Sequence, residues 1–196
     1  MNDAEKIKLK WVSSIVPGHP FRGSIPLSSD SGVKVVQMKD LKENGLVDWS
    51  ATTEVSIETK KTLDWLSDGD ILFAARSTRN IASLIENCPP NILAAPYFYV
   101  IRLNHKKVLP KFLVWQLNQG PLQKYFQREA EGSMTKSIKK SSLEYVEIAV
   151  PSIEAQQKII NMAEIFEREK EICQKLINNG ESIMNSIAVN ILNKQH

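Results

Sequence analysis

The residues best equipped for chemistry are Arg76-Ser77-Thr78-Arg79-Asn80, five consecutive hydrogen-bonding side chains directly behind the apolar run Ile71 to Ala75. Arginine presents a fork of donors that matches guanine edges and phosphate oxygens, and asparagine matches adenine. A polar loop at the end of a buried strand is held rigid enough to read such edges, although the same residues also suit a plain strand-to-strand connection. A second polar stretch, Gln127 to Ser142, carries Ser133, Thr135, Lys136, Lys139 and Lys140 near Gly132. Hydroxyls, ammonium groups and free amides are the groups that hold phosphates. Arg22, behind the Pro17-Gly18-His19-Pro20 turn, serves equally as a phosphate contact or as a surface cation stacked on Phe21. Lys106 and Lys107 add two more candidate phosphate contacts. The aromatics Tyr97-Phe98-Tyr99 would suit base stacking, but their alternation in a strand favours core packing.

Charge is distributed unevenly around these residues. Residues 102–140 hold nine Lys or Arg against Glu129 and Glu131, whereas the first 101 residues come to −1 and residues 141–196 to −3, making the overall +3. A confined basic segment suits a polyanion, because neutralising phosphates releases counterions; a solvated lysine-rich face is the plainer alternative. The signatures of catalysis are missing. The sequence has no Gly-rich phosphate loop, no paired Cys motif, and its histidines, His19, His105 and His196, lack metal-ligand spacing. Asp68-Gly69-Asp70 reads as a turn rather than a carboxylate pair, and Cys88 and Cys173 as reduced, structural residues. The expectation is a binding module with no cofactor and no metal, not an enzyme.

The elements that would position these residues form an α+β arrangement. Strand-like stretches are Gly32 to Met38, Ile71 to Ala75, Ile81 to Ile85, Tyr97 to Leu103 and Leu143 to Val150, and two helical pieces between Pro110 and Phe126 split at Gly120-Pro121. Glu5 to Ile15 fits a short helix or a strand. From Pro151 to Lys194 apolar residues recur at mixed three-and-four spacing, among them Ile159, Phe166, Cys173, Ile177, Met184, Ile187 and Ile191, which places them on one helical face. Such a helix would be on the order of 60 Å long. A stripe of that length wants a partner helix, unless the chain breaks at Asn178-Asn179-Gly180 and folds back. No run of eighteen apolar residues exists and Met1 to Lys10 is charged throughout, so neither a membrane span nor a signal peptide is expected, and the cytoplasm is the default location.

Four stretches together resemble the DNA specificity subunit of type I restriction-modification systems. They are Gly18-His19-Pro20-Phe21-Arg22 with Gly32 to Asp40; Asp68-Gly69-Asp70-Ile71-Leu72-Phe73; Gly132-Ser133-Met134-Thr135-Lys136; and Val146-Glu147-Ile148-Ala149-Val150-Pro151-Ser152-Ile153-Glu154-Ala155-Gln156-Gln157-Lys158-Ile159. The last, a strand, a proline turn and a Glu-any-Gln helix start, is the most specific. The resemblance implies a mixed-sheet DNA target-recognition domain over 1–150 and a coiled-coil-type spacer and dimerisation helix over 151–196. It also implies double-stranded DNA, methyltransferase subunits that supply S-adenosylmethionine and catalysis, and a restriction subunit as partners. Two departures stand out: Arg76 to Asn80 replaces a Gly-containing loop, and one recognition domain with one helix replaces the usual two of each. The chain resembles a half-subunit, for which a homodimer through the Ile159 to Leu192 face would restore two domains and a target palindromic in its halves. An adaptor that docks on a methyltransferase through the helix without reading DNA is the alternative.

Overall fold

The computed structural model describes residues 4–28, 32–42, 45–57, 62–77, 80–132 and 137–193. The chain divides into two units, residues 1–156 and 157–196. In the first unit the opening segment is strand on both sides of a 3-10 turn at Leu9–Trp11: β1 (Glu5–Lys8) precedes it and β2 (Ser13–Pro17) follows. Leu9 and Val12 are buried there, and the Ser13 hydroxyl donates to the Leu9 carbonyl at 2.8 Å. The remaining strands are β3 (Lys34–Val36), β4 (Thr53–Glu54), β5 (Ile71–Ala74), β6 (Ala82–Leu84), β7 (Ile92–Ala94), β8 (Phe98–Leu103) and β9 (Glu147–Val150). An antiparallel sheet runs in the order β2-β8-β5-β6, a mixed one in the order β4-β3-β7 with β3 and β7 parallel, and β1 pairs with β9.

Strand β5 is apolar at every position because both its faces are covered. Leu72 and Ala74 face a cluster formed with Val35, Val36, Leu93 and Val100. Phe73, on the opposite face, meets Phe126 of α2 (Gly120–Glu129) with ring centroids 4.8 Å apart. Helix α1 (Pro110–Leu117) packs against β6 with Phe112, Leu113 and Leu117 buried, and Pro sits in the first turn of both helices, where its missing amide costs nothing. Gly18 has no room for a side chain: a Cβ there would stand 2.0 Å from the Ala95 carbonyl oxygen.

The strongest polar feature is a clamp at the entry to β5. Arg102 of β8 donates through Nε to both Asp70 carboxylate oxygens at 3.0 and 3.2 Å, and through Nη2 to Asp70 at 3.0 Å and to the Trp65 carbonyl at 2.7 Å. Its Nη1 reaches Asp64. Asp68 accepts the Cys88 amide at 2.7 Å, and Gly69 takes φ +89°, which glycine tolerates. Asp68-Gly69-Asp70 is therefore a turn that aims β5.

The polar stretch before β9 differs from expectation. Helix α2 continues to Glu129, and Lys140–Glu144 forms a short helix, α3, where a loop and the beginning of a strand were expected. Local pairings explain it: Lys140 and Glu144 are an i,i+4 ion pair at 3.4 Å, the Tyr125 hydroxyl donates to the Ser142 carbonyl, the Ser142 hydroxyl donates to Glu129, and Leu143 is fully buried.

Helix α4 (Ile153–Asn193) is continuous for 41 residues and is not broken at Asn178-Asn179-Gly180. Its root is fixed inside the first unit. The Ser152 hydroxyl accepts the Ala155 amide, and the buried Gln156 side chain accepts from the Leu109 amide at 2.9 Å while donating to the Lys107 and Pro151 carbonyls at 2.7 and 2.9 Å. In the second unit many apolar side chains are exposed, Met162 at 71% and Phe166 at 64% among them.

Replacing Arg102 tests the clamp. Arg102→Met leaves Asp70 buried and unpaired, which is expected to lower unfolding free energy by about 2–4 kcal/mol, somewhat less than for a fully buried pair because the guanidinium is partly exposed. Urea unfolding reads it, and a change within about 0.5 kcal/mol contradicts the role given to this cluster.

Candidate nucleic-acid interface

The residues on either side of the loop after β5 are held by hydrogen bonds. Ala75 and Arg76 both donate their amides to the Tyr97 carbonyl, at 2.9 and 3.3 Å, and the Ala74 amide donates to the Ile81 carbonyl. Asn80 closes the turn: it is buried, its side-chain amide donates to the Ala74 carbonyl at 2.9 Å, and its own carbonyl accepts from Gln123 of α2. Asn118 seals the following strand by bonding both the amide and the carbonyl of Ala82. The result presents Arg76 to solvent and holds Asn80 inward, so Asn80 acts here as the anchor of the loop. Ser77 is half-buried, and Thr78 and Arg79 lie outside the described residues.

The second polar stretch arrives beside the first. Glu131 and Ser137 pair through two backbone hydrogen bonds of 3.1 and 2.9 Å, and the next residue, Ile138, donates its amide to the Ala75 carbonyl at 2.9 Å. Two segments more than fifty positions apart in sequence therefore meet at one end of the four-stranded sheet. Ser133, Thr135 and Lys136 lie outside the described residues. Lys139 pairs with Glu131 at 2.8 Å and Lys140 with Glu144 at 3.4 Å; both lysines are exposed, and ion pairs at such exposure are weak enough for a phosphate to displace.

Arg22 reaches the same end of the molecule by another route. Gly18 and His19 donate their amides to the Phe98 and Ala94 carbonyls, which places the loop that follows along the Ala94–Phe98 turn carrying Tyr97. Arg22 is exposed, and the ring that meets Phe21 is His19, edge-on at 4.9 Å. Burial pushes the His19 imidazole below its usual pKa, which favours its neutral form.

Lys106 and Lys107 are placed elsewhere. Both are exposed, in the turn after Leu103, at the far end of β8 from Tyr97, about 17 Å along the strand. The Lys107 carbonyl is the one that Gln156 holds, so this pair flanks the root of α4 rather than the Arg76 loop.

Three features escaped the sequence reading. Arg102, counted with the basic segment, is committed to Asp70 and Asp64, and these contacts raise its pKa further. Lys124 and Arg128, four apart on the exposed side of α2, have no acidic partner within ion-pair distance among the described residues, and their i,i+4 spacing was the available signal. Of the three aromatics, Phe98 is core while Tyr97 is exposed next to Arg76; the preceding Pro96 marked that position as a turn.

Of the helix residues, Ile159 is half-buried and Phe166, Cys173, Ile177, Met184, Ile187 and Ile191 are exposed. No group of three or more potential metal ligands occurs among the described residues, and no helix there is long and apolar enough to cross a membrane.

This arrangement offers arginine, tyrosine and backbone amides on a hydrogen-bonded frame, chemistry suited to phosphates and base edges. Three solved structures share the fold. A chain from a study of complex assembly and conformational transition of the type I R-M system superposes with TM-score 0.62 at 17% identity, over 86% of this chain and 39% of that one. The HsdS subunit from Thermoanaerobacter tengcongensis gives 0.60 at 16%, over 86% and 38%. The type I restriction-modification S subunit from M. genitalium gives 0.56 at 13%, over 87% and 41%. The chain thus spans about two fifths of the length of each. Comparison with curated proteins returned no match. The sequence profile of the type I restriction modification DNA specificity domain matches residues 1–180, and with the α+β fold and the long C-terminal helix this makes the chain a member of that family.

Proposed function

We propose that the chain is the half-length specificity subunit of a type I restriction-modification system, reading one half of a bipartite DNA target. DNA recognition is the family's role. The observation that carries the finer reading is the hydrogen bond from Ile138 to Ala75, because it brings the paired residues Glu131 and Ser137 beside Arg76. Residues 1–150 act as the target-recognition domain and 151–196 as the spacer. Arg76 and Arg79, with Ser133, Thr135 and Lys136, read bases; Arg22, Lys139 and Lys140 hold phosphates near them, and Lys106 and Lys107 hold the backbone further along.

Two copies, paired in opposite directions through the exposed face of α4, present two such surfaces to an inverted target with an unread gap between its halves. Methyltransferase subunits dock on this assembly and carry out the chemistry in the cytoplasm, and a restriction subunit joins them; the chain itself contributes no catalysis. The adaptor reading uses the same helix but leaves the cationic end of the sheet without a purpose.

Arg76→Ala is expected to lower discrimination between target and non-target duplexes by about 1–3 kcal/mol while preserving non-specific affinity. Competition binding measures it. Unchanged discrimination in both Arg76→Ala and Arg79→Ala overturns the base-reading assignment.

The double variant Lys106→Ala/Lys107→Ala behaves differently. All sequences are expected to bind more weakly by similar factors, and the slope of log affinity against log salt is expected to fall by about 1 for each phosphate that is no longer neutralised. An unchanged slope removes these two lysines from the interface.

A further inference from the structure

We infer that α4 pairs with α4 of a second copy in one register, in which Glu169 of each chain lies opposite Gly180 of the other. The inference rests on the homodimer reading and adds the position of the two-fold axis to it. Along α4, Ile159, Phe166, Cys173, Gly180 and Ile187 recur every seven residues, and Met162, Glu169, Leu176, Ile183 and Asn190 form the companion series three residues on, the two rows that face a partner in a helical pair.

Among the central members of these rows two are not apolar side chains. Glu169 puts a carboxylate into the seam, and Gly180 leaves a gap. Glycine inside a helix is destabilising relative to alanine, and nothing in its own chain requires it here: a Cβ at Gly180 meets no heavy atom within 4 Å. The two irregularities are explained together if one chain's Glu169 occupies the space over the other's Gly180, from which its carboxylate bends out to water.

Geometry then fixes the rest. Antiparallel pairing joins members of opposite rows. With Glu169 opposite Gly180, Phe166 meets Ile183, Met162 meets Ile187 and Cys173 meets Leu176, every one of them a pairing of apolar side chains exposed in the single chain. The dyad falls between Gln174 and Lys175. A shift by one heptad in one direction sets Glu169 against Ile187, and in the other against Cys173, burying a charge beside an apolar group. Parallel pairing sets Glu169 against its own copy, repelling, and Gly180 against its own copy, leaving a void.

The test is cross-linking in the full chain, in a Cys173→Ser background that removes the thiol next to the dyad. Under mild oxidation Glu169→Cys/Gly180→Cys is expected to become a covalent dimer, with peptide mapping joining positions 169 and 180. Each single variant is expected to stay uncross-linked, because the two copies of one position lie about 16 Å apart along the seam. Glu169→Cys/Ile187→Cys and Met162→Cys/Gly180→Cys, which fit the shifted registers, are expected not to react. Cross-linking of either single variant or of a shifted pair overturns the register and leaves the dimer standing. Absence of any cross-link from a protein of dimeric mass also overturns it. A protein of monomeric mass overturns the dimer reading with it, while DNA reading by one domain is judged separately by half-site binding.

Discussion

The apolar face of α4 is the constraint on which the functional account depends. Along this helix of 41 residues Met162, Phe166, Leu176, Ile183, Met184, Ile187, Ile191 and Leu192 are all at least half exposed, a run of apolar surface that water disfavours. Burying such side chains is worth about 1.5–3 kcal/mol each, so a seam of this length supplies ample driving force for association after its entropic cost. The core of residues 1–156 is built from its strands together with Phe112, Leu113, Leu117, Phe126 and Leu143 of the three shorter helices, and Gln156 holds the first turn of α4.

Within that domain, charge is divided between holding the frame and remaining available. Arg102 is committed by Asp70, Asp64 and the Trp65 carbonyl, and in that position it ties β8 to the turn that starts β5. The same two strands end at Tyr97 and Arg76, so the polar clamp at one end of the sheet and the hydrogen-bonded turn at the other make β5 and β8 a rigid pair. A side chain on such a frame loses little freedom on meeting a base, which is what makes a bidentate arginine selective rather than merely attractive.

How much of this was legible in sequence follows from the range of the interactions. Local patterns survived: the apolar run Ile71 to Ala75, the Asp68-Gly69-Asp70 turn, the split at Gly120-Pro121 and the long stripe beyond Pro151 all depend on neighbours within one element. The α3 turn did not survive, because its formation rests on Leu143 entering the core and on Tyr125 and Glu129 reaching Ser142 from another helix. Asn80 looked like an exposed donor since residue type does not reveal which way a side chain turns. The grouping of Arg76 with Glu131–Ser137, and the separation of Lys106 and Lys107 from both, are consequences of topology, in which β8 carries one set to each end.

The measurement that bears most directly on this account is the solution mass of the purified chain by light scattering, for the native sequence and for Ile177→Glu. The account predicts twice the 22.2 kDa of one chain for the native protein and a single chain for the variant, because a charge at Ile177 falls beside the centre of the seam. A native chain that remains monomeric across the concentration range would contradict it, and would assign the face of α4 to a different protein.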